Sequence, residues 1–81
     1  MKDMSFEQWL ISVKQMSDRS ARDVISRQNR VKKIIGSDSI KEDTLELLVA
    51  NEQFQQLTMY IKSQLKRTVA LALEYQESIN E

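Results

Sequence analysis

The sequence predicts an all-α protein, a compact bundle of four helices plus a short helical turn, formed by residues 1–81 as a single domain. The chain has no proline and one glycine among its 81 residues, whereas an all-β domain needs both residue types for its many tight turns. Apolar residues recur at intervals of three and four, which is the period of an amphipathic helix. A chain of this length buries roughly 60–65% of the surface that its unfolded form exposes. We therefore expect one thin core that all the helices share.

The first helix is predicted over residues 6–15. Ser5 and Gln8 have the S-x-x-Q spacing of a capping box, in which each side chain accepts a hydrogen bond from the other residue's backbone amide. Phe6 and Trp9 then begin an apolar stripe at helical spacing. Because aliphatic residues continue this stripe, we expect both aromatic rings to be core anchors and not platforms for stacked bases.

The second helix is predicted over residues 18–35, with Ser17 or Ser20 as its N-cap. Gly36 marks its end, because glycine adopts the left-handed C-cap conformation without strain. The apolar residues fall on one side of a helical wheel, which we expect to be the core side: Ala21, Val24, Ile25, Val31, Ile34 and Ile35.

A short polar loop follows, in which Ile40 is expected to be a buried anchor. Asp43 or Thr44 can then cap a brief helix over residues 44–50. This helix is rich in apolar residues, namely Leu45, Leu47, Leu48 and Val49.

Asn51 is a second interruption, after which one or two turns over residues 52–57 bury Phe54 and Leu57. The longest helix is predicted over residues 58–79. Its core stripe is expected to consist of Ile61, Leu65, Thr68 or Val69, Ala72, Gln76 or Tyr75, and Ile79.

The composition excludes several kinds of site. The chain has no cysteine and no histidine, so it lacks disulfides, thiolate metal sites, the commonest metal ligand and the commonest general base at neutral pH. No stretch approaches ~20 consecutive apolar residues, and the amino terminus does not have the pattern of a secretory signal. We expect a soluble cytoplasmic protein without a metal, a cofactor, a membrane partner or catalytic residues of its own.

Positive charge is concentrated in one part of a chain whose formal net charge is zero. The segment 19–33 holds six of the twelve cationic residues. Between Lys14 and Lys33 seven cations face two acids, a net of plus five, whereas residues 38–52 carry one cation and five acids. The protein is therefore dipolar, and a local cationic surface can neutralise phosphates regardless of acids elsewhere.

On the helical wheel, the polar face of the second helix collects four cations and two short hydrogen-bonding residues. These six residues are the first candidate DNA-binding set: Arg19, Arg22, Ser26, Asn29, Arg30 and Lys33. Arginine offers a planar fork for phosphate oxygens, and serine and asparagine commonly contact phosphates and bases. The alternative is a solvated face without a ligand, because every helix with an apolar stripe needs a soluble back.

A second cationic group opens the last helix. Lys62 and Lys66 are expected beside its core stripe, with Arg67 pointing away, and these three residues complete the candidate DNA-binding set. They widen the basic surface if the last helix packs against the second, and otherwise form a solvated shoulder. The following stretch, 69–75, is apolar around more than half of the helix, which favours either a buried helix or a seam for a partner domain or a second copy.

The order of these signals resembles the amino-terminal core-binding domain of tyrosine recombinases and phage integrases, a SAM-like helical module. The resemblance lies in "SFEQWL", "MSDRSARDVISRQNRVKKIIG", "DTLELLV" and "NEQFQQL" leading into "KSQLKRTVALALEY", and it covers nearly the whole chain. It consists of helix caps and apolar spacings more than of fixed residues. The family commonly has an aromatic residue where Val24 stands here.

The resemblance implies a non-catalytic module that contacts one side of duplex DNA and forms a clamp with a separate, tethered catalytic domain. The catalytic residues of that family do not carry over, and we expect Tyr60 and Tyr75 to be structural. Because the net charge is zero, we expect weak, salt-sensitive DNA binding. The alternative function is protein interaction or homodimerisation through the apolar 69–75 surface. Both a fragment of a larger recombinase and a stand-alone protein are compatible with the sequence.

Overall fold

The structure, a computed structural model, describes residues 4–79 and confirms the all-α fold class. The five helices are α1 (Phe6–Ser12), α2 (Asp18–Ile35), α3 (Thr44–Ala50), α4 (Glu52–Gln55) and α5 (Met59–Ile79). They match the predicted elements in order and type. The described part of the chain has a Cα radius of gyration of 12.7 Å.

The first helix begins as predicted but ends earlier. The Ser5 hydroxyl accepts from the Gln8 amide at 3.2 Å, and the Gln8 side chain accepts from the Ser5 amide at 3.4 Å. The predicted range 6–15 is three residues too long, because Gln15 turns into the left-handed region at φ 58°. The Met16 amide then donates to the Leu10 carbonyl at 3.1 Å, which closes the helix end.

The second helix has the predicted bounds and caps. The Ser17 hydroxyl accepts from the Ser20 amide at 3.1 Å, so Ser17 is the N-cap. Gly36 ends the helix with φ 68°, as a left-handed C-cap.

The core consists of two apolar clusters, both built on α2 and α5. The main cluster joins Val31 to residues of the other helices, and the Trp9 cluster joins Ala21 and Val24 to α1. Their remaining buried members are Ile40, Leu48, Phe54, Leu65, Val69 and Ala72 in the first, and Trp9, Leu10 and Leu71 in the second. Since α2 and α5 contribute to both clusters, they form the central pair against which the shorter helices pack.

Asn51 connects the end of α2 to the short helices. Its side-chain oxygen accepts from the amides of Gln53 and Phe54, and its side-chain nitrogen donates to the Ile34 carbonyl at 3.2 Å. The interruption predicted at this residue is therefore a cap with a tertiary hydrogen bond. The helix it opens is shorter than the predicted range 52–57.

One expectation about the core is wrong, and α3 exposes most of its apolar residues. Ile79, predicted at the end of the α5 stripe, is 54% exposed. In α3, Leu45, Leu47 and Val49 are between 39% and 49% exposed, and only Thr44 and Leu48 are buried. A helix of seven residues has room for a single inward strip, so the other apolar side chains face outward.

Within residues 4–79, no helix combines the length and apolar character needed to cross a membrane.

Candidate nucleic-acid interface

Six residues of α2 form one solvent-exposed strip, which we call the basic ridge: Arg19, Arg22, Ser26, Asn29, Arg30 and Lys33. Helical geometry places this strip opposite the buried residues Ala21, Val24 and Val31. Its first and last members are fourteen positions apart, which corresponds to about 21 Å along the helix axis. The four ridge cations are exposed, as the helical wheel predicts.

The ridge cations have no acidic partner within salt-bridge distance in the described part of the chain. The ion pair found between residues 4 and 79 joins Lys14 and Glu74, with 2.7 Å between the ammonium nitrogen and a carboxylate oxygen. Asp23, the acid nearest in sequence to Arg22, is exposed and forms no such pair. The guanidinium groups of the ridge therefore keep their donors free for a ligand.

The acidic segment lies on the other side of α2. Ile40 and Leu48 pack with Val31 in the main cluster, so the loop and helix that carry the acids face the core side of α2. The ridge faces the opposite direction. Most acids of residues 38–52 therefore lie toward the core side of α2. At the α4 end, however, Gln53, the neighbour of Glu52 in the sequence, lines a groove together with the ridge residues Arg30 and Lys33.

The three candidate cations of α5 do not form one face. The Lys62 ammonium lies 5.9 Å from the centre of the Phe54 ring and its side chain is half-buried, a cation–π contact that directs it toward α4. Lys66 is exposed. Arg67 is exposed too, but it lines a groove shared with Arg27 of α2.

Arg27 is a cation of this groove that the sequence analysis does not include in the candidate DNA-binding set. On the wheel it flanks the apolar stripe, so the helical period assigns it to neither the core nor the ridge. In the structure it is half-buried. The sequence does contain one feature that places Arg27 near the ridge. Arg27 and Arg30 are three positions apart and are therefore neighbours on the helix surface. Arg27 and Arg67 line the same groove because α2 packs against α5. A single sequence does not contain the information on which helices pack together.

The tyrosines have different environments. The Tyr75 hydroxyl donates to the Met4 carbonyl at 2.6 Å, and its ring lies 5.2 Å and 5.6 Å from the rings of Phe6 and Trp9. The structural role expected for Tyr75 is thus confirmed. The same expectation is wrong for Tyr60, which is 72% exposed and belongs to neither core cluster.

The apolar stretch 69–75 is part of the core and not a surface. Val69 and Ala72 are buried in the main cluster and Leu71 is buried in the Trp9 cluster, while Leu73 and Tyr75 are half-buried against them. Packing against α2 and the shorter helices uses most of the apolar arc, and Ala70 is exposed. The expected interaction surface at 69–75 is therefore wrong.

Residues 4–79 contain no group of three or more acidic, histidine or cysteine side chains that could hold a metal ion. The fold and the ridge define a small all-α protein in which the cations of the exposed face of α2 have no acidic partner among residues 4–79. Comparisons of the chain with protein-family models, with curated proteins and with solved structures give no match.

Proposed function

We propose that this domain binds the sugar–phosphate backbone of duplex DNA through the basic ridge of α2, without catalysing a reaction. One observation carries the proposal: four cations lie along one exposed helix face and none of them is paired with an acid within residues 4–79. If this face served only solubility, charges of both signs would be more favourable, because opposite charges three or four positions apart stabilise a helix.

The dimensions of the ridge suit a duplex. Double-stranded DNA carries one negative charge per about 1.7 Å of its axis when both strands are counted, so a ridge of about 21 Å spans a length of duplex that carries roughly a dozen phosphate charges. The arginine forks bind phosphate oxygens in a bidentate manner, and Ser26 and Asn29 lie between them as neutral donors. These contacts position the protein on the backbone and carry little sequence information.

The resemblance to recombinase core-binding domains supports the same role. A module with about four phosphate contacts binds weakly when alone, and its affinity drops steeply as the salt concentration rises. A tethered catalytic domain would raise the effective concentration of the module at its site and make a weak contact useful. In this proposal the chain binds the DNA backbone and orients the protein on it, and the partner domain catalyses the reaction.

The experiment is a titration with a random-sequence duplex at several salt concentrations. We expect the logarithm of the association constant to fall linearly with the logarithm of salt concentration, with a slope of about −3 to −4 for four contacts. In NMR spectra, the amide shifts should centre on residues 19–33. Absence of any shift at low salt, or shifts centred on α3, would contradict the proposal.

A homodimer is the second candidate, on a different surface from the one first expected. It is favoured by the exposed Leu45, Leu47 and Val49 of α3 and by the acidic residues around them, which could face the ridge of a second copy. Sedimentation at increasing protein concentration tests it. A dimer that is lost in Leu47→Asp at low salt would favour this candidate over DNA binding.

A further inference from the structure

A groove runs between α2 and α5 beside the basic ridge. Its volume is about 420 Å³, and Arg27 and Arg67 line it from the two helices. Arg27 is one helical turn from the ridge residue Arg30, so the groove adjoins the ridge. Helix α5 therefore contributes a cation to the same side of the molecule as α2.

The base of the groove is formed by buried side chains. Val24, Thr68 and Leu71 line it and are 5%, 2% and 8% exposed, respectively, as parts of the packed α2–α5 pair. Arg27 is itself half-buried, and a partly buried arginine typically packs its aliphatic stem while keeping its guanidinium in water. A cationic side chain that is already held in place loses less conformational freedom when it binds an anion.

The charges in the groove favour an anion. Neither arginine forms an ion pair within residues 4–79. Asp23 is the one carboxylate among the groove-lining residues of that range, against two guanidinium groups. The Gln64 amide and the Ser20 hydroxyl also line the groove and can donate hydrogen bonds to oxygen atoms.

We propose that Arg27 and Arg67 bind one phosphate group between them in this groove. Two planar forks from opposite walls can each donate a pair of parallel hydrogen bonds to the phosphate oxygens. The phosphate belongs either to the DNA backbone or to a free phosphate ester. In the first case this site deepens the proposed function and rests on it, because it extends the DNA contact from α2 to α5.

The test begins with inorganic phosphate added to the intact chain at constant ionic strength, followed through the side-chain Nε–H signals of the arginines. Saturable shifts are expected at Arg27 and Arg67, with much smaller, non-saturating shifts at Arg19. Arg27→Gln and Arg67→Gln should each weaken phosphate binding about tenfold. Lys41→Gln, at an exposed loop position outside both the groove and the ridge, is the matched control and should leave phosphate binding unchanged.

Two further variants keep the test decisive if Arg27→Gln loses packing. Arg27→Lys keeps the charge and most of the stem but lacks the fork, so phosphate binding should weaken although the thermal unfolding midpoint is retained. Asp23→Asn removes the opposing charge from an exposed position and should tighten phosphate binding about threefold. A purely structural role for these residues predicts no tightening.

A duplex titration with the same variants separates the two sources of phosphate. If Arg27→Gln and Arg67→Gln each lower the salt slope by about 1, the bound phosphate is that of DNA. If phosphate binds saturably and duplex does not, the groove proposal stands for a free phosphate ester and the DNA proposal fails. If all arginines shift equally with phosphate, or neither variant changes its binding, the groove proposal is overturned, while the ridge proposal is unaffected.

Discussion

The outer faces of α2 and α3 differ in what they expose to solvent. Helix α2 spans eighteen residues, buries Ala21, Val24 and Val31, and presents a polar, cationic ridge. Helix α3 spans seven residues, buries Thr44 and Leu48, and presents exposed aliphatic side chains among acids. A helix of five turns can separate an inward from an outward strip, whereas two turns of mostly apolar sequence cannot. The charge of α2 is therefore a feature of one face, and the apolar character of α3 is spread around its axis.

The largest expected effect distinguishes the two sides of α3. Leu48 is fully buried and Leu47 is 49% exposed, although they are adjacent in the sequence. Leu48→Ala should lower the free energy of unfolding by about 2–5 kcal/mol through lost burial and a cavity. Leu47→Ala should change it by less than about 0.5 kcal/mol. Urea unfolding followed by circular dichroism measures both, and equal losses would show that α3 is rotated about its axis.

The next effect concerns the ridge of α2. Arg22→Glu together with Arg30→Glu should keep the unfolding free energy within about 0.5 kcal/mol, because both side chains are exposed. Duplex affinity should fall by tenfold or more, and the salt slope should decrease by about 2, one per lost phosphate contact. Fluorescence anisotropy with a labelled duplex at two salt concentrations measures both quantities.

Two charge reversals at different places separate the effect of the ridge from the effect of total charge. Arg22→Glu and Lys41→Glu each change the total charge by the same amount, and both side chains are exposed, but Lys41 lies in the loop that precedes α3. We expect the first variant to weaken DNA binding and the second to leave it nearly unchanged. Equal weakening would mean that total charge governs binding, and the difference between the faces of α2 and α3 would then have no functional meaning.

The contrast between α2 and α3 also shows which structural features can be predicted from the sequence. The bounds of α2, its caps at Ser17 and Gly36 and the orientation of its ridge follow from local signals, because capping and helical period act within a few residues. The outward leucines of α3 and the burial of 69–75 depend on which helices pack together. The groove that Arg27 and Arg67 both line depends on the same packing of helices. For this reason the sequence predicts the ridge but not the groove beside it.

A smaller effect is expected at the two left-handed residues that bound α2 and its preceding turn. Gly36 has φ 68° and Gln15 has φ 58°. An added Cβ at Gly36 meets nothing within 4 Å, so Gly36→Ala should cost only the backbone strain of about 1 kcal/mol. Gln15→Gly should relieve similar strain and stabilise the protein by up to about 1 kcal/mol. Thermal unfolding measures both shifts, which should be opposite in sign, and shifts of the same sign would contradict this explanation of the two turns.

The smallest expected effect comes from Lys14, the cation of the basic segment 14–33 that does have an acidic partner. Its ammonium pairs with Glu74 and lies 5.6 Å from the centre of the Trp9 ring. The side chains of the pair are 31% and 51% exposed, so the ion pair should contribute less than about 1 kcal/mol and weaken with salt. Glu74→Gln removes the ion pair alone, whereas Lys14→Gln also removes the cation–π contact, so Lys14→Gln should be the more destabilising by about 0.5 kcal/mol.

Both Lys14 and Glu74 variants should leave the DNA salt slope unchanged, because a cation that already has a partner releases few counterions when a phosphate approaches. A drop in slope for Lys14→Gln equal to that for Arg22→Glu would mean that pairing does not decide which cations contact DNA. The ridge would then lose its distinction from the rest of the basic segment, since its cations differ from Lys14 in having no acid within reach among residues 4–79.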